Sequence, residues 1–151
     1  MGESVGMQHG VSHEAAVTVA HASEAEIVGY SAAAGRGDVL PICLRLANAR
    51  NEADWGSRRE LVSSVGPACR PELLARACEL MPNATEPRLL RAARALALAD
   101  VSGSASVRRA CLESARKDLE EAARIDPMDA TVRAMLAELV GAHAWSAHLA
   151  A

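Results

Sequence analysis

Between Ala105 and Ile125 the apolar residues Val107, Cys111, Ala115, Leu119 and Ala122 recur in steps of three or four. That period places them on one side of an α-helix, whereas a strand would need alternation in steps of two. Glu113–Lys117 and Glu120–Arg124 are Glu-first pairs four apart on the outer face, each adding a few tenths of a kcal/mol. Asp126-Pro127-Met128-Asp129 then turns the chain, and a further helix is expected from Ala130 to about His143 or beyond. A chain built around such a segment has to bury helical stripes against other helices.

The same punctuation recurs upstream. Ser23-Glu24-Ala25-Glu26 reads as a capping box opening a short helix through Ala34, broken by Gly35-Arg36-Gly37. Asp38 is placed to cap a helix through Arg50 with Pro41 in its first turn, and Ile42, Cys43, Leu46 and Ala49 form its apolar side. Trp55, Leu61, Val62 and Val65 give the segment 51–65 its face, and Gly66-Pro67 stops it. A helix Pro71–Leu80 carries Leu73, Leu74, Ala77 and Cys78, and 81–84 is a turn. Thr85 is expected to cap the next helix, whose stripe is Leu89, Leu90, Ala93, Leu96 and Ala97, with a loop at 101–104 before Ala105. Residues 1–20 have no helical period and read as a flexible tail, leaving 21–151 as one helical domain.

Composition agrees. Half of the 151 residues are apolar, mostly Ala and Leu, with no Phe, one Tyr (Tyr30) and two Trp (Trp55 and Trp145). Ala and Leu lead the helix-forming scale, while sheets draw on β-branched and aromatic side chains. The fold class is therefore all-α, with Trp55 and Trp145 expected to anchor the two ends of the core.

Within this helical reading, 85–140 resembles a tetratricopeptide repeat. In that family the second helix of a unit carries a small residue, a large apolar residue four later, Ala three later and Pro five later. Ala115, Leu119, Ala122 and Pro127 stand at those positions, and Leu136-Ala137 with Val140 follow where the next unit places a large-small pair and another apolar residue. An earlier unit matches at Leu74, Ala77 and Pro82 but has Arg70 where a small residue belongs, and Leu89, Ala93 and Leu96 would open the unit after it. From Pro82 to Pro127 the spacing is 45 residues, against about 34 in a regular repeat, a surplus assigned to the loop at 99–106. The arrangement is also similar to helical-repeat proteins of high-GC bacteria. The resemblance implies antiparallel helical hairpins stacked as a short solenoid, repeat-like from about residue 70, whose concave surface binds a protein or peptide.

Residue chemistry gives little support to an enzyme. No cofactor-binding, metal-binding or catalytic constellation can be assembled from spacing. His9 and His13 lie in the tail, and His143 and His148 are five apart, about 140° around a helix. Cys43, Cys69, Cys78 and Cys111 are scattered and read as small buried thiols. Arg36-Gly37-Asp38 reads as a turn and cap, and Asn83-Ala84-Thr85 as a turn before a helix. A net charge of −3 with interspersed signs leaves no footprint for nucleic acid, and no apolar run approaches the ~20 residues of a membrane span. The N-terminus lacks the pattern of a signal peptide, so the expected compartment is the cytoplasm.

Two sets of residues are candidates for partner binding. Arg88, Arg91 and Arg94 step by three along one helix and could grip an acidic peptide. Trp145 and Leu149, four apart, would share one side of a continuing helix that no second helix covers, so 144–151 is expected to dock on its own domain, self-associate or bind a partner. The favoured function is a non-catalytic scaffold; the alternatives are an enzyme built from scattered polar residues and a helical regulatory or oligomerisation module.

Overall fold

The computed structural model describes residues 22–35, 37, 39–50 and 55–150, with side chains through 141. Seven α-helices and one 3-10 turn make up the described residues, and no strand occurs among them. In chain order they are α1 (Glu24–Gly35), α2 (Leu40–Asn48), α3 (Trp55–Val65), the turn Gly66–Ala68, α4 (Pro71–Leu80), α5 (Glu86–Val101), α6 (Ala105–Ile125) and α7 (Ala130–Ala150). The protein is all-α. The tail read at 1–20, the Asp38 cap and residues 51–54 lie outside the described residues.

Helix boundaries follow local chemistry. Ser23 Oγ accepts from Glu26 N at 3.1 Å, which is half of the capping box; the Glu26 carboxylate turns instead to Arg45 Nε at 2.5 Å. Gly37 has φ +99°, a conformation that favours glycine, and stands in the turn after α1. Ser104 caps α6 by accepting from Val107 N. Asp129 Oδ1 caps α7, accepting from the backbone N–H of Thr131 and Val132 at 3.0 and 3.2 Å. Thr85 does not cap α5: its backbone is already helical and its hydroxyl is drawn into a buried network described below.

Helix α5 is the hub. It packs on α6 along its length, on α4 and the 3-10 turn on one side, and on α2 and α3 on another. Gly66 allows the closest approach, since a Cβ there would stand 2.7 Å from the Ala93 Cβ and 2.8 Å from the Leu90 carbonyl oxygen. The core comprises Ile42, Leu46, Leu61, Val62, Val65, Leu74, Leu89, Leu90, Ala115, Leu119, Ala122, Val132, Met135 and Leu139 among others.

Contacts run mostly between helices adjacent in sequence, α4 to α5 to α6 to α7, with a further contact between α3 and α7. In a solenoid each unit touches only its neighbours. Here α3 also reaches α7, where Arg59 Nη2 donates to Glu138.

Several expected positions are corrected. Val107 is half-exposed, because the first turns of α6 and the end of α5, with Leu98 and Val101, project past the helices that cover the rest of the hairpin. Only Ser102–Ser104 separates α5 from α6, so the surplus spacing between Pro82 and Pro127 resides in helices of 16 and 21 residues and not in a loop. On α7 the buried stripe is Val132, Met135 and Leu139, and Val140 points to solvent. Trp55 is 46% exposed at the start of α3 and does not anchor the core. Trp145, Leu149, His143 and His148 lie on the backbone of α7, but their side chains fall outside the described ones.

Candidate functional site

Arg88, Arg91 and Arg94 each find an internal acceptor. Arg88 Nη1 donates to the carbonyls of Ala84 and Met81, holding the turn before α5. Arg91 pairs through Nε and Nη2 with both oxygens of Asp118 at 2.9 and 2.7 Å, tying α5 to α6. Arg94 Nη1 donates to the carbonyls of Pro67 and Cys69, holding the chain around the 3-10 turn. Steps of three fall 60° short of a full circle on an α-helix, so the three side chains fan over roughly 120° and meet three different neighbours. They act as staples of the fold.

A second polar set is buried. Arg58 is 1% exposed on α3. Its Nε donates to the Leu46 carbonyl at 2.9 Å, its Nη1 to Asp129 Oδ1 at 2.6 Å, and its Nη2 to Thr85 Oγ1 and Glu86 Oε2 at 3.2 and 3.4 Å. The Thr85 hydroxyl lies 2.5 Å from Glu86 Oε2 and 3.0 Å from Asp129 Oδ2. Arg50 Nη2 donates to both Glu86 oxygens, at 2.6 Å to Oε2. Two guanidinium groups thus face two carboxylates; Arg58, Glu86 and Asp129 are buried, and Arg50 closes the cluster at its solvent edge. One cluster joins the end of α2 to the N-terminal ends of α3, α5 and α7.

Arg50 leads outward to a concavity. Leu40, Cys43, Leu44, Ala47, Arg50, Met81, Ala84 and Glu86 line a cleft of about 370 Å³. An adjoining depression of about 180 Å³ shares Leu40 and adds Gly37, Val39, Leu73, Arg76, Ala77 and Leu80. Together they form an apolar groove with α2 as one wall and α4, with the turn that follows it, as the other. Leu40, Leu44 and Leu80 are each more than half exposed. Cys43, on the floor, has its thiol pushed up to about 12 by burial and by the Glu86 carboxylate, so it stays protonated. Burial likewise pushes Cys69 up to about 11 and raises Cys78 against the opposing influence of nearby arginines.

A smaller concavity of about 220 Å³ lies between α3, α5 and α7, lined by Arg59, Ser63, Leu96, Asp100, Met135 and Glu138 among others, and the Arg59–Glu138 pair crosses it. No group of three or more His, Cys, Asp or Glu among the described residues could hold a metal ion. No helix among them is long and apolar enough to cross a membrane.

Neither the buried network nor the groove was anticipated, although both left signals. Arg58 stands at positions i−3, i−4 and i−7 from Leu61, Val62 and Val65, so it extends their buried stripe. Leu40 and Leu44 lie off the Ile42–Cys43–Leu46 face of α2, giving that helix leucines on two sides. Leu73, Ala77 and Leu80 form a second stripe on α4 in the same manner.

No protein-family model, no curated protein and no solved structure matches this chain.

Proposed function

We propose that the chain is a non-catalytic helical scaffold that binds a protein or peptide partner in the cytoplasm, and that the groove between α2 and α4 receives it. The observation that carries this reading is the set Leu40, Leu44 and Leu80, each more than half exposed along two apolar depressions that share Leu40. Leucines left in water at a groove are costly unless a partner covers them, and contiguous apolar patches of this kind mark interaction sites. The volume falls within the span of sites that take side chains or small ligands.

The tetratricopeptide-like reading of 85–140 belongs to the same proposal. Supporting it are the burial of Ala115, Leu119 and Ala122 and the sequential packing of α4 through α7. In a family-like stack the partner would lie on the face of alternate helices, here α3, α5 and α7. That face carries the smaller concavity crossed by Arg59–Glu138, so the α2–α4 groove offers the larger apolar surface.

Selection of a displayed random-peptide library on the folded protein tests the proposal. Enriched peptides should lose binding to Leu44→Glu and Leu80→Glu, both at exposed positions where the fold tolerates a charge. Peptides that bind both variants as well as the parent would remove the groove from the account.

A further inference from the structure

The groove has a charge pattern as well as an apolar floor. Of the described residues lining its two depressions, Arg50, Arg76 and Glu86 are the charged ones. The Glu86 side chain is 3% exposed, whereas that of Arg50 is 42% exposed. The carboxylate accepts from Arg50 and from Arg58 beneath the surface, so the part of this neutral cluster that the groove turns to solvent is the Arg50 guanidinium. Arg76 lies exposed in the other depression and makes no hydrogen bond or ion pair with any described residue. Glu72 and Glu79 are exposed on α4 but do not line the groove.

Each half of the groove therefore carries one outward guanidinium, with leucine, alanine and methionine between. Helix α2, from Leu40 to Asn48, has nine residues, about 13 Å or two and a half turns at 1.5 Å per residue. An apolar stripe of that length is what an amphipathic helix presents when it lies in a groove. Nucleic acid would need cations along the whole path, and apolar side chains fill the middle of this one.

We infer that the occupant is an amphipathic helical segment of a partner protein whose apolar stripe is flanked at each end by a carboxylate, one meeting Arg50 and the other Arg76. This rests on the groove being the binding surface. A guanidinium at a groove rim pairs a carboxylate bidentately, setting the direction and register of a helix that apolar contacts alone would leave free to slide.

The test uses the full chain and two synthetic helical peptides of about four turns (roughly 16 residues), with identical leucine stripes. One has Glu at both ends of the stripe and the other Lys. Binding is read by fluorescence anisotropy at low and high salt. The Glu-ended peptide should bind at least about tenfold more tightly than the Lys-ended one, and Arg76→Glu should shrink or reverse that preference. Leu44→Glu should abolish binding of both while the melting temperature stays at the parental value. Equal binding of the two peptides, both lost with Leu44→Glu, would overturn the acid-flanked occupant and leave the groove standing. Failure of both peptides to bind, or binding that survives Leu44→Glu, would overturn the inference and the groove together.

Discussion

Arg58 is a buried cation that ties several helices together. It is 1% exposed, and its guanidinium makes four hydrogen bonds, to a backbone carbonyl of α2, to a hydroxyl and a carboxylate at the start of α5 and to a carboxylate at the start of α7. Removing one member of a buried charge cluster leaves the others desolvated and uncompensated. Arg58→Ala should therefore cost about 3–5 kcal/mol in urea unfolding. Arg58→Lys should lose much of the same stability, since an ammonium cannot reproduce the planar fork. A lysine variant equal to the parent would show that charge, and not geometry, is what the site requires. Thr131 presents the opposite case. It is buried, and its Oγ1 has no hydrogen-bond partner among the described residues, although its backbone N–H donates to Asp129. Thr131→Val keeps the shape and removes an unsatisfied hydroxyl, so stability should be unchanged or raised; a loss above about 1 kcal/mol would mean the hydroxyl is bonded after all.

The cysteines give a pH dependence at this scale. Burial raises Cys43 from 9.0 to about 12 and Cys69 from 9.0 to about 11. A thiol that holds its proton longer in the fold than in the unfolded chain contributes stability that is complete below pH 9. That contribution is lost as pH rises toward the folded value, by up to about 1.4 kcal/mol per pH unit for each thiol. Chemical unfolding should show the protein weakening from about pH 9 upward, and Cys43→Ala should flatten the fall relative to the parent. A flat profile to pH 11 would mean that the thiols are solvated.

At the scale of elements, helices were legible because their signals are local. Proline, glycine and stripe spacing placed α4 at Pro71–Leu80 and α6 at Ala105–Ile125, and both have those bounds. What local signals cannot specify is which neighbour covers which turn. Val107 sits on the same stripe as Leu119, yet the α5–α6 tip extends past its cover and leaves Val107 exposed while Leu119 is fully buried. Arg88, Arg91 and Arg94 had the spacing of a binding stripe, and only the placement of α4, α6 and the 3-10 turn reveals their acceptors. The groove was hidden for a related reason. Leu40 and Leu44 are ordinary residues of an apolar helix until α2 is seen to stand apart from α4. Two substitutions test the packing. Leu119→Ala should cost about 2–5 kcal/mol, and a value within half a kcal/mol of the parent would place Leu119 at the surface. Gly66→Ala forces a methyl against the Ala93 side chain and the Leu90 carbonyl, so it should destabilise by about 1–3 kcal/mol. A neutral result would mean that the 3-10 turn is not held against α5.

For the whole molecule, the charge-neutral cluster at Arg58 joins four helices, α5 supplies the central packing surface, and the apolar groove is left on the side where α2 and α4 face each other. The central question is whether that groove, and not the arginine row of α5 or the face between α3 and α7, is where a partner sits. The direct measurement is backbone amide NMR of the full chain titrated with the Glu-ended helical peptide. The shifted amides should cluster in 39–50 and 73–86, with those near Arg59, Asp100 and Glu138 unmoved. Shifts concentrated on α3, α5 and α7, or a spectrum that does not change at saturating peptide, would contradict this.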